Sequence, residues 1–127
     1  MKINVSTDIE EEIRRALEDY QNAYCRPLPE DYELPNLLIT QVGGTTSQTI
    51  DTFEVVIDSR AEVEAVALGY LNKAIGILKA VAKKQTTALR HIVVNSSGSW
   101  GSDPVRPDLA MCSARLSVTA HQDETEV

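Results

Sequence analysis

The strictest constraint on the fold lies near the C-terminal end of the chain. Cys112, Ala114, Leu116, Val118 and Ala120 alternate with Ser113, Arg115, Ser117, Thr119 and His121. Side chains of a strand point to opposite faces at every second residue, so this segment (about Ala110 to His121) is a strand with one buried and one wet face. Ile50 to Asp58 repeats the pattern: Phe53, Val55 and Ile57 are set against Thr52, Glu54, Val56 and Asp58. A sheet with one covered face is the mark of antiparallel-dominated α+β domains. Phe and Trp occur once each, so the core is expected from Ile, Leu, Val and Ala with Tyr at its edges.

Two helices are available to cover that face. Ile9, Ile13, Leu17, Tyr20 and Tyr24 recur at helical steps, giving a helix from about Thr7 to Tyr24. Thr7 with Glu10 has capping-box spacing, and Asp8, Glu10, Glu11 and Glu12 suit a helix N-terminus. A second helix is expected from Ala61 to Lys84, with Val63, Val66, Ala67, Tyr70, Ala74, Ile77, Leu78 and Val81 on its apolar face. Gly69 and Gly76 weaken it and are expected to allow close packing on the sheet. Pro27 and Pro29 open a linker running from Arg26 to Pro35. A strand follows at Leu37, Leu38, Ile39 and Val42, punctuated by Gly43 and Gly44, with a polar loop at Thr45–Thr49. Leu89 to Asn95 is another strand, Ser96 to Pro107 a loop rich in Gly, Ser and Pro, and Gln122 to Val127 a frayed tail. The expectation is one domain over residues 1–127: a single four-stranded, mostly antiparallel sheet with both helices on one face, in the order α-β-β-α-β-β.

Composition narrows the function classes. The 127 residues carry a net charge of −7, from 19 acidic and 12 basic side chains, which disfavours sequence-independent nucleic-acid binding. No signal-peptide pattern opens the chain, and no apolar run is read as approaching the ~20 residues of a membrane span, so no membrane partner is expected. Cys25 and Cys112 lie in no metal-binding spacing and are read as buried, reduced thiols.

No constellation points to catalysis, a cofactor or a metal. His91 and His121 stand alone on strands. Cys112 sits on an apolar face, where a thiol is hard to ionise. Asp8, Glu10, Glu11 and Glu12 point in different directions around a helix. Gly43-Gly44-Thr45-Thr46 lacks the lysine and following helix of a phosphate loop and reads as a strand end. Trp100, alone in a Gly/Ser-rich setting, either folds over a core edge or anchors a contact.

Several features in order give a resemblance. They are the acidic N-terminal helix; Leu34-Pro35-Asn36-Leu37-Leu38-Ile39 leading into Val42-Gly43-Gly44; and Asp51-Thr52-Phe53-Glu54-Val55-Val56-Ile57-Asp58. After these come an Ala-rich helix with Glu64-Ala65 through Leu71-Asn72, then Asp103-Pro104-Val105-Arg106-Pro107-Asp108, then Cys112-Ser113-Ala114-Arg115-Leu116-Ser117-Val118. In this order the chain resembles the tail terminator (tail completion) proteins of long-tailed bacteriophages. The resemblance implies a structural, non-enzymatic virion protein of the tail or neck, assembled in the host cytoplasm. Such a protein forms a ring, usually hexameric, that caps the tail tube and meets the head connector. The partners implied are other copies of itself, the tail-tube protein and a head-connector or neck protein; DNA passes through the lumen without specific binding. Trp100, Asp103, Arg106, Asp108 and Arg115 are the candidate subunit or partner contacts; for Arg115 the alternative is a solvated sheet-face residue. Rival readings are a head–tail adaptor or tail-tube protein, a ferredoxin-like ligand-binding or regulatory domain, and a small enzyme with its site between subunits.

Overall fold

The computed structural model describes all residues, 1–127. The elements run β1 (Lys2–Val5), α1 (Ile9–Leu17), β2 (Ala23–Cys25), β3 (Asn36–Thr46), β4 (Ile50–Ala61), α2 (Glu64–Lys84), β5 (Leu89–Ser102), β6 (Ala110–His121) and β7 (Asp123–Glu126). The α+β class holds, but the single four-stranded sheet does not. The main sheet has five strands in the order β2-β3-β4-β6-β5, and β1 pairs with β7 in a separate two-stranded ribbon. The main sheet is mixed, because β2 runs parallel to β3 while the other neighbours are antiparallel.

The fifth strand, β2, takes Ala23 and Tyr24 from the end of the expected helix. Asp8, rather than Thr7, caps α1 by accepting from the Glu11 amide. Ile9, Ile13 and Leu17 fill the buried stripe, and the helix closes at Leu17, whose carbonyl accepts from the Tyr20 and Gln21 amides. The chain then turns. Gln21 Nε2 donates to the Tyr70 carbonyl at 2.8 Å, and the Asn22 amide donates to Tyr70 Oη at 2.5 Å. These bonds to α2 place Tyr24 in a strand beside Leu38; Tyr20 is left exposed. Helical spacing at Tyr20 and Tyr24 is therefore coincidental. The tail at 122–127 is likewise not frayed: Lys2 opposes Glu126 and Val5 opposes Asp123, a ribbon of exposed side chains held by backbone pairing and charge contacts such as Lys2–Glu124 at 3.5 Å.

The core lies between the main sheet and both helices. Phe53, Val55, Ile57, Ser59 and Ala61 of β4 oppose Val118, Leu116, Ala114, Cys112 and Ala110 of β6. The alternation of β4 is as expected from the sequence but runs on to Ala61. Above it, α2 presents Ala67, Leu71, Ala74, Ile75, Leu78 and Ala82 as its buried face. Val63 and Val66 are exposed, and Tyr70, Ile77 and Val81 only flank the core. The helix is apolar around most of its girth, and the small alanines face inward so that it can approach the sheet; Ser59 Oγ reaches the Ala67 carbonyl at 2.8 Å. Gly69 and Gly76 face open space and are not packing residues. By length and composition α2 is also long and apolar enough to cross a membrane, contrary to the sequence expectation; here it lies against β4, β5 and β6.

Two loops are shorter than expected. β3 continues through Gly43 and Gly44 to Thr46, with a bulge between Gln41 and Gly43, so the glycines lie within the strand. A Cβ on Gly44 would meet the Thr52 carbonyl at 2.8 Å, and only glycine fits there. β5 continues to Ser102 through two irregularities flanking Ser96, with Gly98 in the left-handed region. Both cysteines are free; Cys112 is buried, but Cys25 is only half-buried, and burial next to Glu11 pushes its thiol up to about 11.

Candidate interaction site

The face of the sheet away from the helices is polar by the same alternation that builds the core. Across its centre Ser117 Oγ donates to Glu54 Oε1 at 2.8 Å, Asn95 Nδ2 donates to Ser117 Oγ at 2.8 Å, and Ser113 Oγ donates to Asp58 Oδ1 at 2.5 Å. Arg115 lies on this face between Val56 and Ser96, exposed and in none of the ion pairs. No helix covers it. Neither lateral edge pairs with a further strand, although on the β3 side the Gln41 amide already donates to Glu10 Oε2 at 3.0 Å. β2 covers β3 only at Leu37–Ile39, and β5 has no outer neighbour along its 14 residues.

At one end of this face the picture changes. The loop after β5 and the linker at Leu28–Tyr32 line a cleft of about 460 Å³, with Leu38, Arg60, Val105 and Arg106. Under them, Asn36 and Arg60 are register partners and both are buried. Arg60 Nε donates to Asp103 Oδ2 at 2.5 Å, with Arg60 6% and Asp103 4% exposed. The other Asp103 oxygen accepts from the Val105 and Arg106 amides at 2.8 and 3.0 Å, which shapes the loop. Burial alone would raise the Asp103 pKa. The Arg106 amide, the Arg60 guanidinium and the Val105 amide outweigh it and hold the carboxyl below its ordinary value. The group stays ionised and is no proton donor near neutrality. Farther out, Arg106 grips Asp108 with two bonds, at 3.1 and 2.8 Å.

The five candidate contacts do not converge. Asp103, Arg106 and Asp108 share the loop, but Asp103 is spent internally, on Arg60 and on the Val105 and Arg106 amides. Arg106 and Asp108 are exposed. Trp100, 49% exposed, is paired opposite Cys112 and so belongs to the helix side of the sheet, while Arg115 is on the opposite face. Arg60 carries the loop and was not legible as a site residue. By alternation it belongs to the wet face, and the segments that bury it are remote in sequence.

Chemically, the cleft offers a largely apolar surface with the Arg60 and Arg106 guanidinium groups and the Glu30 carboxylate at its walls, and no nucleophile beside a base. No three His, Cys, Asp or Glu side chains converge anywhere to hold a metal ion. No protein-family model matches the chain, and no curated protein matches it.

Proposed function

We propose that the chain is a structural subunit of a long-tailed phage virion: a ring, hexameric by resemblance, that caps the completed tail tube, stops its growth and offers a surface to the head connector or neck. The observation that carries this reading is the pair of open edges on opposite sides of one sheet. Such edges favour association with other strands unless managed, and two different ones on one subunit favour head-to-tail contacts of the kind that close into rings. The exposed loop at Val105–Asp108, Trp100 and Arg115 supply further contact surface in three directions, as a subunit touching two neighbours and two partners needs. The acidic balance lets DNA pass through a lumen without adhering.

The cleft beside Arg60 favours one second reading, a ligand-binding domain, because its volume falls in the range of small-molecule sites. Two measurements separate these. Adding the protein to polymerising tail-tube subunits should shorten the tubes in proportion to the protein added, and molecular mass should rise with concentration toward a closed ring. Unchanged tube length at saturating protein rejects the capping role. A metabolite that raises the unfolding temperature of a strictly monomeric chain favours the second reading.

A further inference from the structure

A second buried carboxylate, at the opposite end of β4 from Arg60, has no cation. Asp51 is 2% exposed. Its Oδ1 accepts from Gln122 Nε2 at 2.9 Å, while Oδ2 is closed off from solvent and has no hydrogen-bond partner. The Ser6 and Thr46 hydroxyls flank the carboxylate, and no lysine, arginine or histidine is among the groups that hold it. It borders a recess of about 430 Å³ shared with Ser6, Thr7, Gly43, Gly44, Thr45 and Thr46. This is the Gly-Gly-Thr-Thr run that invites a phosphate reading in the sequence. The charge beside it has the wrong sign for phosphate.

We infer that this hydroxyl-lined recess is a binding site for a monovalent hard cation, sodium or potassium, with Asp51 Oδ2 as its anionic ligand. An ionised carboxylate withdrawn from water is costly unless something positive or strongly polar compensates it. Here the compensation inside the chain stops at one amide and neutral hydroxyls, leaving one oxygen free. Asp51 nonetheless stays ionised: burial would raise its pKa, but the polar side chains of Thr46, Gln122 and Ser6 beside it lower it overall. The ligand set is all oxygen, which selects hard cations over transition metals. It holds a single carboxylate, so one positive charge completes the balance, where calcium and magnesium sites draw on more anionic oxygens. Gly44 keeps the strand close, since a side chain there would strike the Thr52 carbonyl. The inference does not depend on tail capping.

The test compares the full chain in sodium, potassium and choline chloride at matched ionic strength and pH, at concentrations where it is monomeric. The unfolding midpoint should be higher by about 2–4 °C in sodium or potassium than in choline. The sodium NMR line should broaden with protein, and potassium should sharpen it again. Asp51→Asn should abolish both effects. If that variant does not fold, Ser6→Ala is used instead and should reduce them. Equal midpoints in all three salts with an unbroadened sodium line overturn the site, as does an ion response that survives in Asp51→Asn or is unchanged in Ser6→Ala. A response to calcium or magnesium alone overturns the monovalent assignment. A midpoint that rises only with self-association, in choline as well, gives the carboxylate to a lysine or arginine of a second copy and overturns the free-ion site.

Discussion

Asp103 and Asp51 are two buried carboxylates near opposite ends of β4, kept charged by different means. Asp103 has a cation, Arg60 Nε at 2.5 Å, together with two backbone amides. Asp51 has one amide donor, Gln122 Nε2, and neighbouring hydroxyls, with one oxygen unpartnered. In both, burial pushes the pKa up and hydrogen bonds pull it below the ordinary value. The difference lies in what each would leave behind if neutralised. Removing the charge at Asp103 strands a guanidinium; removing it at Asp51 strands nothing. The first pair fastens a loop; the second leaves one carboxylate oxygen unpartnered.

The largest expected effect follows from that asymmetry. Asp103→Asn keeps an acceptor for the Val105 and Arg106 amides but turns an amide donor toward Arg60 Nε and leaves a buried cation unpaired. Denaturant unfolding should show a loss of about 3–5 kcal/mol. Adding Arg60→Met to that variant removes the stranded charge and should recover most of the loss. If the double variant is no more stable than Asp103→Asn alone, the pair acts through shape and not through charge.

Asp51→Asn should be much milder, within about 1 kcal/mol in choline buffer, because a hydrogen bond to a charged acceptor becomes one to a neutral acceptor and no charge is orphaned. Acid sharpens the contrast. A carboxyl whose folded pKa lies below its unfolded value contributes stability that is fully present above the unfolded value, near 3.8. That contribution is lost as pH falls through the folded pKa, since the unfolded chain takes up the proton first. Unfolding free energy measured downward from pH 5 should therefore decline less steeply in either Asp→Asn variant than in the parent chain. An unchanged slope in Asp51→Asn would mean that its carboxyl titrates alike in both states.

The parts of this molecule that were legible in its sequence are those where one face of an element differs from the other. Phe53–Val55–Ile57 and Cys112 through Ala120 show their period because water wets one side of the sheet and helices cover the other. Ile9, Ile13 and Leu17 show theirs for the same reason. Where burial is uniform or absent, period carries nothing. β1 and β7 are exposed throughout, and α2 is apolar around most of its girth, so its inward face could be read a fraction of a turn wrong, at Val66 instead of Leu71. Arg60 and Asp51 fail differently. Alternation tells which side of β4 each one takes, Arg60 the open face and Asp51 the helix side, but not that the 103–109 loop covers the first and that Gln122 and Ser6 close on the second. Pairings between segments 40 or more residues apart leave no local trace.

The smallest effect isolates burial from chemistry. Arg106 and Asp108 repeat the Arg–Asp pairing in the same loop with better bonding geometry, two contacts at 3.1 and 2.8 Å against one for Arg60. Their side chains, however, are 48% and 62% exposed. In water both ions are already well solvated, and holding two flexible side chains together offsets much of the attraction, so Arg106→Ala should leave the denaturant midpoint nearly unchanged, and more so in high salt. A loss comparable with that of Asp103→Asn would mean that the outer pair shares in locking the loop. If stability is untouched while concentration-dependent assembly is weakened, the guanidinium is free for a neighbour, because a side chain contributing little to its own fold can exchange Asp108 for a partner's carboxylate at little cost.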